Sequence, residues 1–256
     1  MRIKVLALIM LAATCLAAGQ SPDKAGQSPD KAGQSPDKAR QSPDKASVLK
    51  RAQAGDVAAQ IKMGNMYAIG DGVPRDPDKA MDWFKKAADQ GSAEGQYRLG
   101  GMYDVARATK QDPETAITWY TLAAKQGYKD AEYRLGVMYE QGRGVTVDYV
   151  EAAKWYLRAA EHGQAEAQFK AGLFYEEGQG VPQDYKAAAK WYTQVVQQKR
   201  SGRPDPILGP AEFKLGSLYE RGLGVPKSKD EAVKWYTKAS NDGYRPAVTA
   251  LRALEQ

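Results

Sequence analysis

Between residues 130 and 163, apolar and small side chains recur at Ala131, Leu135, Gly136, Met138, Tyr139 and Gly142. These steps of three and four predict a helix with one buried stripe. Gly142-Arg143-Gly144-Val145 follows, and two glycines this close interrupt a helix, because glycine tolerates positive φ and costs about 1 kcal/mol inside one. A second stripe then runs through Ala152, Trp155, Tyr156, Ala159 and Ala160. Asp148 is placed to cap this helix and Gly163 to end it. The pattern therefore predicts two antiparallel helices joined by a tight turn.

The same pattern recurs along the chain. Trp83, Trp119, Trp155 and Trp191 are 36 residues apart, and Trp235 follows 44 later. Each belongs to one sentence: Ala-x-x-x-Leu-Gly-x-x-Tyr, Gly-x-Gly-Val, Lys-Ala-x-x-Trp, Ala-Ala-x-x-Gly. Self-similarity at such a period marks a stacked repeat protein. One helix pair cannot bury a tryptophan alone, so successive copies must stack. In the first two copies Pro77 and Pro113 follow Asp76 and Asp112, a cap-then-proline helix start.

This pattern resembles the Sel1-like repeat, a relative of the tetratricopeptide repeat, with copies beginning near Asp56, Ser92, Tyr128, Gln164 and Leu208. Ser47 to Gly55 is similar to the second helix of a truncated leading copy, and Tyr244 to Leu254 to a closing first helix. The resemblance implies an all-α fold, a right-handed αα-hairpin solenoid of five repeats with terminal capping helices, whose first helices line the concave side. Copy two departs from it at Ala106-Arg107-Ala108-Thr109, where the glycine turn is expected. Copy four carries Val195-Val196 in place of Ala-Ala, with eight extra residues before copy five.

Ahead of the repeats lie two segments of different character. Arg2 and Lys4 precede an apolar run from Val5 to Leu16, shorter than the roughly 20 residues of a membrane span. Residues 1–18 therefore read as a signal peptide. Cleavage beside Ala17-Ala18-Gly19 and lipid attachment at Cys15, in Ala12-Ala13-Thr14-Cys15, both remain open. Residues 19–46 repeat Gly-Gln-Ser-Pro-Asp-Lys-Ala, with Arg40 in place of glycine in the fourth copy. A proline in every heptad and no large apolar residue predict a disordered tether, spanning on the order of 30 Å. The repeat region is then 47–256. The expected location is exported, periplasmic or envelope-associated, with an outer-membrane lipoprotein included and secretion to the medium less favoured.

Of the formal net charge of +6 the signal contributes two and the tether one, which leaves too little basic excess to argue for nucleic acid. Beyond Cys15 there is no cysteine, so packing alone must stabilise the repeats. His162 is the single histidine and reads as a surface residue at a helix end. A transition-metal site lacks its usual ligands, and no cofactor is expected. The carboxylates fall at repeat-periodic positions expected on exposed helix faces. The Gly-x-Gly loops follow helices rather than strands, so they read as turns and not phosphate cradles. With no nucleophile constellation in the repeats, the chain is not expected to be an enzyme.

Counting each first helix from its leading small residue (Ala59, Gly95, Ala131, Ala167, Ala211), the fourth position is cationic in every copy: Lys62, Arg98, Arg134, Lys170 and Lys214. Beside it stand Ile61, Tyr97, Tyr133, Phe169 and Phe213. Helices packed roughly 8–10 Å apart would make this a basic ladder of about 40 Å edged by rings. Two readings stand: a ladder for an acidic or extended protein partner, or a face satisfied by intrahelical pairs from Glu94, Asp130 and Glu166. The insertion, with Lys199, Arg200 and Arg203, is either a specificity loop or a tolerated bulge.

The expected function is a non-catalytic protein-binding scaffold of the bacterial cell envelope, monomeric by itself, acting as an adaptor, regulator or host-interaction factor. The resemblance leaves open an immunity protein neutralising a secretion-system effector. It also leaves open, less favourably, a penicillin-binding or weakly β-lactam-hydrolysing enzyme.

Overall fold

The computed structural model describes residues 45–105, 111–198 and 206–254. Among the described residues there are twelve helices and no strands: α1 Lys45–Gln53, α2 Val57–Ile69, α3 Pro77–Asp89, α4 Ala93–Asp104, α5 Pro113–Lys125, α6 Lys129–Gln141, α7 Tyr149–Glu161, α8 Ala165–Glu177, α9 Tyr185–Gln197, α10 Leu208–Arg221, α11 Lys229–Asn241 and α12 Arg245–Leu254. Each packs chiefly on the helix before it and the helix after it. This is an αα-hairpin solenoid, in which α2/α3, α4/α5, α6/α7, α8/α9 and α10/α11 are the five copies.

Local chemistry sets the boundaries. Asp76, Asp112, Asp148, Asp184 and Ser228 each accept backbone N–H bonds at the start of a second helix, satisfying donors that a helix N-terminus otherwise leaves orphaned. The glycine loops are turns, as the sequence predicts. Gly70, Gly142, Gly178 and Gly222 end the first helices in the left-handed region. The second glycine of the turn has a packing role as well. A Cβ at Gly180 would lie 2.0 Å from the Tyr149 carbonyl oxygen, and one at Gly224 2.3 Å from the Tyr185 carbonyl carbon. Each turn thus presses backbone against backbone on the second helix of the preceding copy. Copy two's substituted turn, Ala106 to Thr109, lies outside the described residues. The closure around it is kept, since the Asp112 amide donates to the Tyr103 carbonyl at 3.0 Å, as Asp148 does to Tyr139 and Asp184 to Tyr175.

The sixth residue of each first-helix motif explains the tight hairpin. Gly64, Gly100, Gly136, Gly172 and Gly216 are seats for an aromatic ring of the second helix. A Cβ at any of them would stand 2.4 to 2.8 Å from Phe84, Tyr120, Tyr156, Tyr192 or Tyr236 respectively. These five rings are buried, whereas the tryptophan before each is half-buried. The sequence pattern placed Trp155 and Tyr156 on one stripe; the structure gives the core position to the second. Burying such a ring contributes roughly 1.5–3 kcal/mol.

Each core cluster joins the second helix of one copy to the first helix of the next. Ala116, Tyr120, Ala123 and Ala124 of α5 pack with Ala131, Leu135 and Met138 of α6, and Trp155 of α7 covers the cluster from the following helix. Every tryptophan repeats this placement one copy along. The core therefore lies between copies, and no copy owns one. At the ends, α1 supplies Val48 and Ala52 to α2, and α12 lays Ala247 against Ala232, Tyr236 and Ala239 of α11. Among the described residues no helix is long and apolar enough to cross a membrane.

Candidate functional site: the first-helix face

The cations of the first-helix row are not equivalent. Lys62 is exposed and forms no ion pair among the described residues. Arg98 pairs with Glu94 on its own helix at 3.1 Å, with both side chains about 40% exposed. Arg134 is exposed at its rim. Burial of its inner part works against its charge, but Tyr97, Tyr120 and Asp104 more than offset this and hold it protonated. Lys170 and Lys214 are engaged across copies: the first lies 2.8 Å from both oxygens of Glu140, the second 3.1 Å from Glu176. Of the three intrahelical partners proposed from spacing, Glu94 pairs as expected. Lys170 instead takes Glu140, while Glu166 accepts from the Gln164 amide at 2.7 Å.

Glu140 and Glu176 also accept from tyrosines. The Tyr156 hydroxyl donates to Glu140 at 2.5 Å, Tyr192 to Glu176 at 2.6 Å and Tyr236 to Glu220 at 2.6 Å. The donor is sixteen residues after the acceptor each time, reaching from the second helix to the first of the same copy. Copy two keeps the arrangement in looser form, with Tyr120 and Asp104 at 3.4 Å. There the carboxylate is bound by Arg143, which also donates to the Asp104 backbone carbonyl at 3.0 Å. Burial, reinforced by the neighbouring carboxylate, pushes the phenols of Tyr156, Tyr192 and Tyr236 well above the ordinary tyrosine value. They act as fixed donors. Copy one lacks the pair altogether, with Ala68 at the acid position and Phe84 at the phenol position.

The rings beside the cations face inward. Tyr97 lies 5.7 Å from Tyr120 and 5.1 Å from Tyr128, Tyr133 5.7 Å from Tyr156, Phe169 5.7 Å from Tyr192, and Phe213 5.2 Å from Tyr236. They are half-buried and join the core clusters rather than standing free. Lys199, Arg200 and Arg203 of the insertion, and Cys15, lie outside the described residues.

One sequence expectation is corrected. The repeat-periodic carboxylates are not all on exposed faces. The Glu132 side chain is fully buried and Asp104 is 4% exposed, while Glu212 is also buried. For Glu132 and Glu212 the cause is that the second position of each first helix points into the joint between copies. Asp104, at the end of α4, is instead enclosed by Tyr120 and Arg143. The second position carries an amide in Gln60, Gln96 and Gln168, bonded to Gln90, Gln126 and Gln198 at 2.7, 2.9 and 2.7 Å. In copy three the pair is Glu132 with His162, whose Nδ1 lies 2.7 Å from the carboxylate. The Arg158 guanidinium stands 3.1 Å from the other oxygen, close enough to pair but not aligned as a hydrogen bond. His162 is half-exposed at its helix end, as the sequence predicts, yet it also seals a buried charge. Among the described residues no group of His, Cys, Asp or Glu is arranged to hold a metal ion.

Arg98 and Arg134 converge, beside the packed ring of Tyr97, on a cavity of about 240 Å³ between the first helices of copies one to three. Ala68, Ile69, Phe84, Met102 and Val105 supply its apolar lining, and Asp104 and Tyr120 its polar edge.

The Sel1 repeat profile matches residues 57–92, 93–128, 129–164, 165–195 and 209–244, the same five copies that the helices define. The chain belongs to the Sel1 repeat family. Among solved structures it is similar to a protective antigen present in uropathogenic Escherichia coli strains displaying an SLR fold, at 35% identity and a TM-score of 0.75, over 81% of this chain and 43% of that one. It is similar also to a Sel1 repeat protein from Oxalobacter formigenes, at 39% identity and a TM-score of 0.71, over 82% of this chain and 59% of that one. The chain thus spans about half the length of these relatives. An immunity protein from Pseudomonas aeruginosa aligns at 22% identity with a TM-score of 0.46, over 82% of this chain and 73% of that one. No curated protein matches.

Proposed function

We propose that this chain is a non-catalytic scaffold of the bacterial cell envelope that binds a protein partner along its first-helix face. Sel1 repeats present surfaces of this kind, and the solenoid keeps the five cations on corresponding positions of successive helices. The observation that carries the reading is the asymmetry of the row. Lys170 and Lys214 hold carboxylates of the neighbouring copy, while Lys62, Arg98 and Arg134 leave charge for a partner at the N-terminal three copies. Net attraction there favours an acidic or extended segment and speeds its encounter. Residues 1–18 would direct export and 19–46 would tether the solenoid, with Cys15 as the anchoring position if lipid is attached.

Photo-crosslinking in the producing cells tests the reading. A benzophenone side chain at Lys62 or at the exposed Ile69 should give one discrete adduct, lost when Arg98 and Arg134 are both changed to glutamate. Equal adducts from the opposite, second-helix face would reject the first-helix face as the binding surface. The partner's identity separates the roles: a toxic enzyme bound one to one would mark an immunity protein, an envelope component an adaptor. Mass spectrometry of the mature N-terminus distinguishes an acylated Cys15 from cleavage beside Ala17 to Gly19.

A further inference from the structure

In copies three and four a glutamate carboxylate sits at one joint position of the row. Glu140 is held between the Lys170 ammonium and the Tyr156 hydroxyl, and Glu176 between Lys214 and Tyr192. The joint between copies one and two keeps the cation, Arg98, but has lost both other members. Ala68 stands where the glutamate would be and Phe84 where the tyrosine would be. The acid and its hydroxyl donor are absent together, and what they leave is part of the 240 Å³ cavity lined by Ala68, Phe84, Arg98 and Arg134.

The charges around this cavity are cationic in sum. Arg98 faces Glu94 alone, in a solvent-exposed pair of the kind that contributes roughly 0.2–0.5 kcal/mol and yields readily to a competitor. Asp104 is paired with Arg143, so Arg134, whose charge Tyr97 and Asp104 favour without an ion pair, forms no salt bridge among the described residues. Two guanidinium groups beside an apolar floor suit a carboxylate carried on a short aliphatic stem, since the guanidinium fork matches a carboxylate bidentately. At several times the roughly 30 Å³ that one water occupies in the liquid, the space admits a side chain. Its rim carries Ile69, 72% exposed, and Val105, 53% exposed, both large apolar groups with room for a neighbour.

We propose that this cavity seats a glutamate side chain from an extended segment of the protein partner, in the place that Glu140 and Glu176 occupy in later copies, with an apolar residue next to that glutamate resting on Ile69 and Val105. The proposal rests on the partner-binding reading above and names the chemistry recognised at its N-terminal end. The chain itself provides the precedent, because the same scaffold position twice holds a glutamate by a cation.

The test uses the full chain and the end-blocked peptide acetyl-Gly-Leu-Glu-Leu-Gly-amide, followed by NMR at the arginine Nε–H resonances. The glutamate peptide should shift Arg98 and Arg134 saturably, and the same peptide with glutamine should bind at least ten-fold more weakly. Ala68→Glu combined with Phe84→Tyr would rebuild the internal arrangement, fill the cavity and abolish the shifts; circular dichroism checks that the variant folds. Should it not fold, Arg98→Ala, on an exposed side chain, must weaken the peptide ten-fold or more. The proposal is overturned if the glutamine peptide binds equally, if the rebuilt variant still binds, or if acetate alone matches the peptide, which would make this a site for small carboxylates. A crosslinked partner that survives the rebuilt variant would overturn the cavity assignment and leave the scaffold reading standing. Absence of any adduct from the first-helix face would instead remove the scaffold reading.

Discussion

At the scale of single residues, the repeat works by pairing a missing side chain with a large one. Gly136 has no Cβ because the Tyr156 ring occupies that space, 2.6 Å from where a Cβ would be. Tyr156 is buried and its hydroxyl is fixed on Glu140, so neither side can retreat. Gly136→Ala should therefore destabilise by about 1–3 kcal/mol, the usual cost of overpacking, despite alanine's better helix propensity. Urea denaturation measures it, and a neutral or stabilising result would show that the ring has room to move. The joint between copies two and three makes a second case. Its amide–amide pair is replaced by Glu132 and His162, a buried acid with a polar partner. His162→Ala should cost about 1–3 kcal/mol by leaving the carboxylate short of a hydrogen bond. Glu132→Gln with His162→Gln should return to within about 0.5 kcal/mol of the native protein, because it rebuilds the Gln60–Gln90 arrangement. If the double variant is as unstable as His162→Ala, the pair is not the interchangeable unit described here. Neither pairing was visible in helix periodicity, which treats one helix at a time. Both leave a trace when the copies are aligned: Phe84 coincides with Ala68, and in copy three His162 stands in place of glutamine where Glu132 does the same.

At the scale of elements, the sequence was legible where the signal is local. Caps, glycine turns and 3.6-residue stripes act within one helix or one turn, and α6 and α7 fall within a residue or two of the predicted bounds. The first-helix face was less legible because its outcome depends on contacts between elements. Spacing offered Glu166 to Lys170, four residues apart on one helix. The structure gives Lys170 to Glu140, thirty residues earlier, because that carboxylate lies in a half-buried joint and already accepts the Tyr156 hydroxyl. An ion pair there is screened less than one in solvent, which decides between the two partners. Lys170→Met should consequently cost about 1–2 kcal/mol, between the values for exposed and fully buried pairs. Lys62→Met, at an exposed position, should fall within about 0.5 kcal/mol of the native stability. Thermal melts of the two variants side by side make the comparison. Equal losses would mean that the inter-copy bridge contributes nothing beyond an ordinary surface pair.

At the scale of the whole molecule, the core is distributed over joints between copies, so titration of one kind of group should act at several joints together. Tyr120, Tyr156, Tyr192 and Tyr236 occupy equivalent positions in copies two to five, and burial raises the pKa of each well above the ordinary value near 10. Tyr128, at the second joint, is pushed up to about 12, chiefly by burial and then by Glu94 and Asp130. In the unfolded chain these phenols lose their protons near pH 10. The folded chain keeps them, so above that pH the folded state binds more protons than the unfolded state, and stability falls as pH rises. Below pH 10 the contribution is fully present in both directions of titration, and neutral-to-alkaline stability should be flat. Above it, loss should steepen, since several phenols contribute at once. Tyrosinate absorbance near 295 nm should then rise in two stages: exposed tyrosines titrating non-cooperatively near pH 10, followed by the buried set ionising together with the loss of helical circular dichroism. Tyr156→Phe and Tyr192→Phe together should move that second stage to higher pH, because two of the groups that drive it are gone. A single smooth titration of all the tyrosines, with helicity intact, would mean that the phenols at the joints exchange with solvent and that the copies are held less tightly than their packing implies.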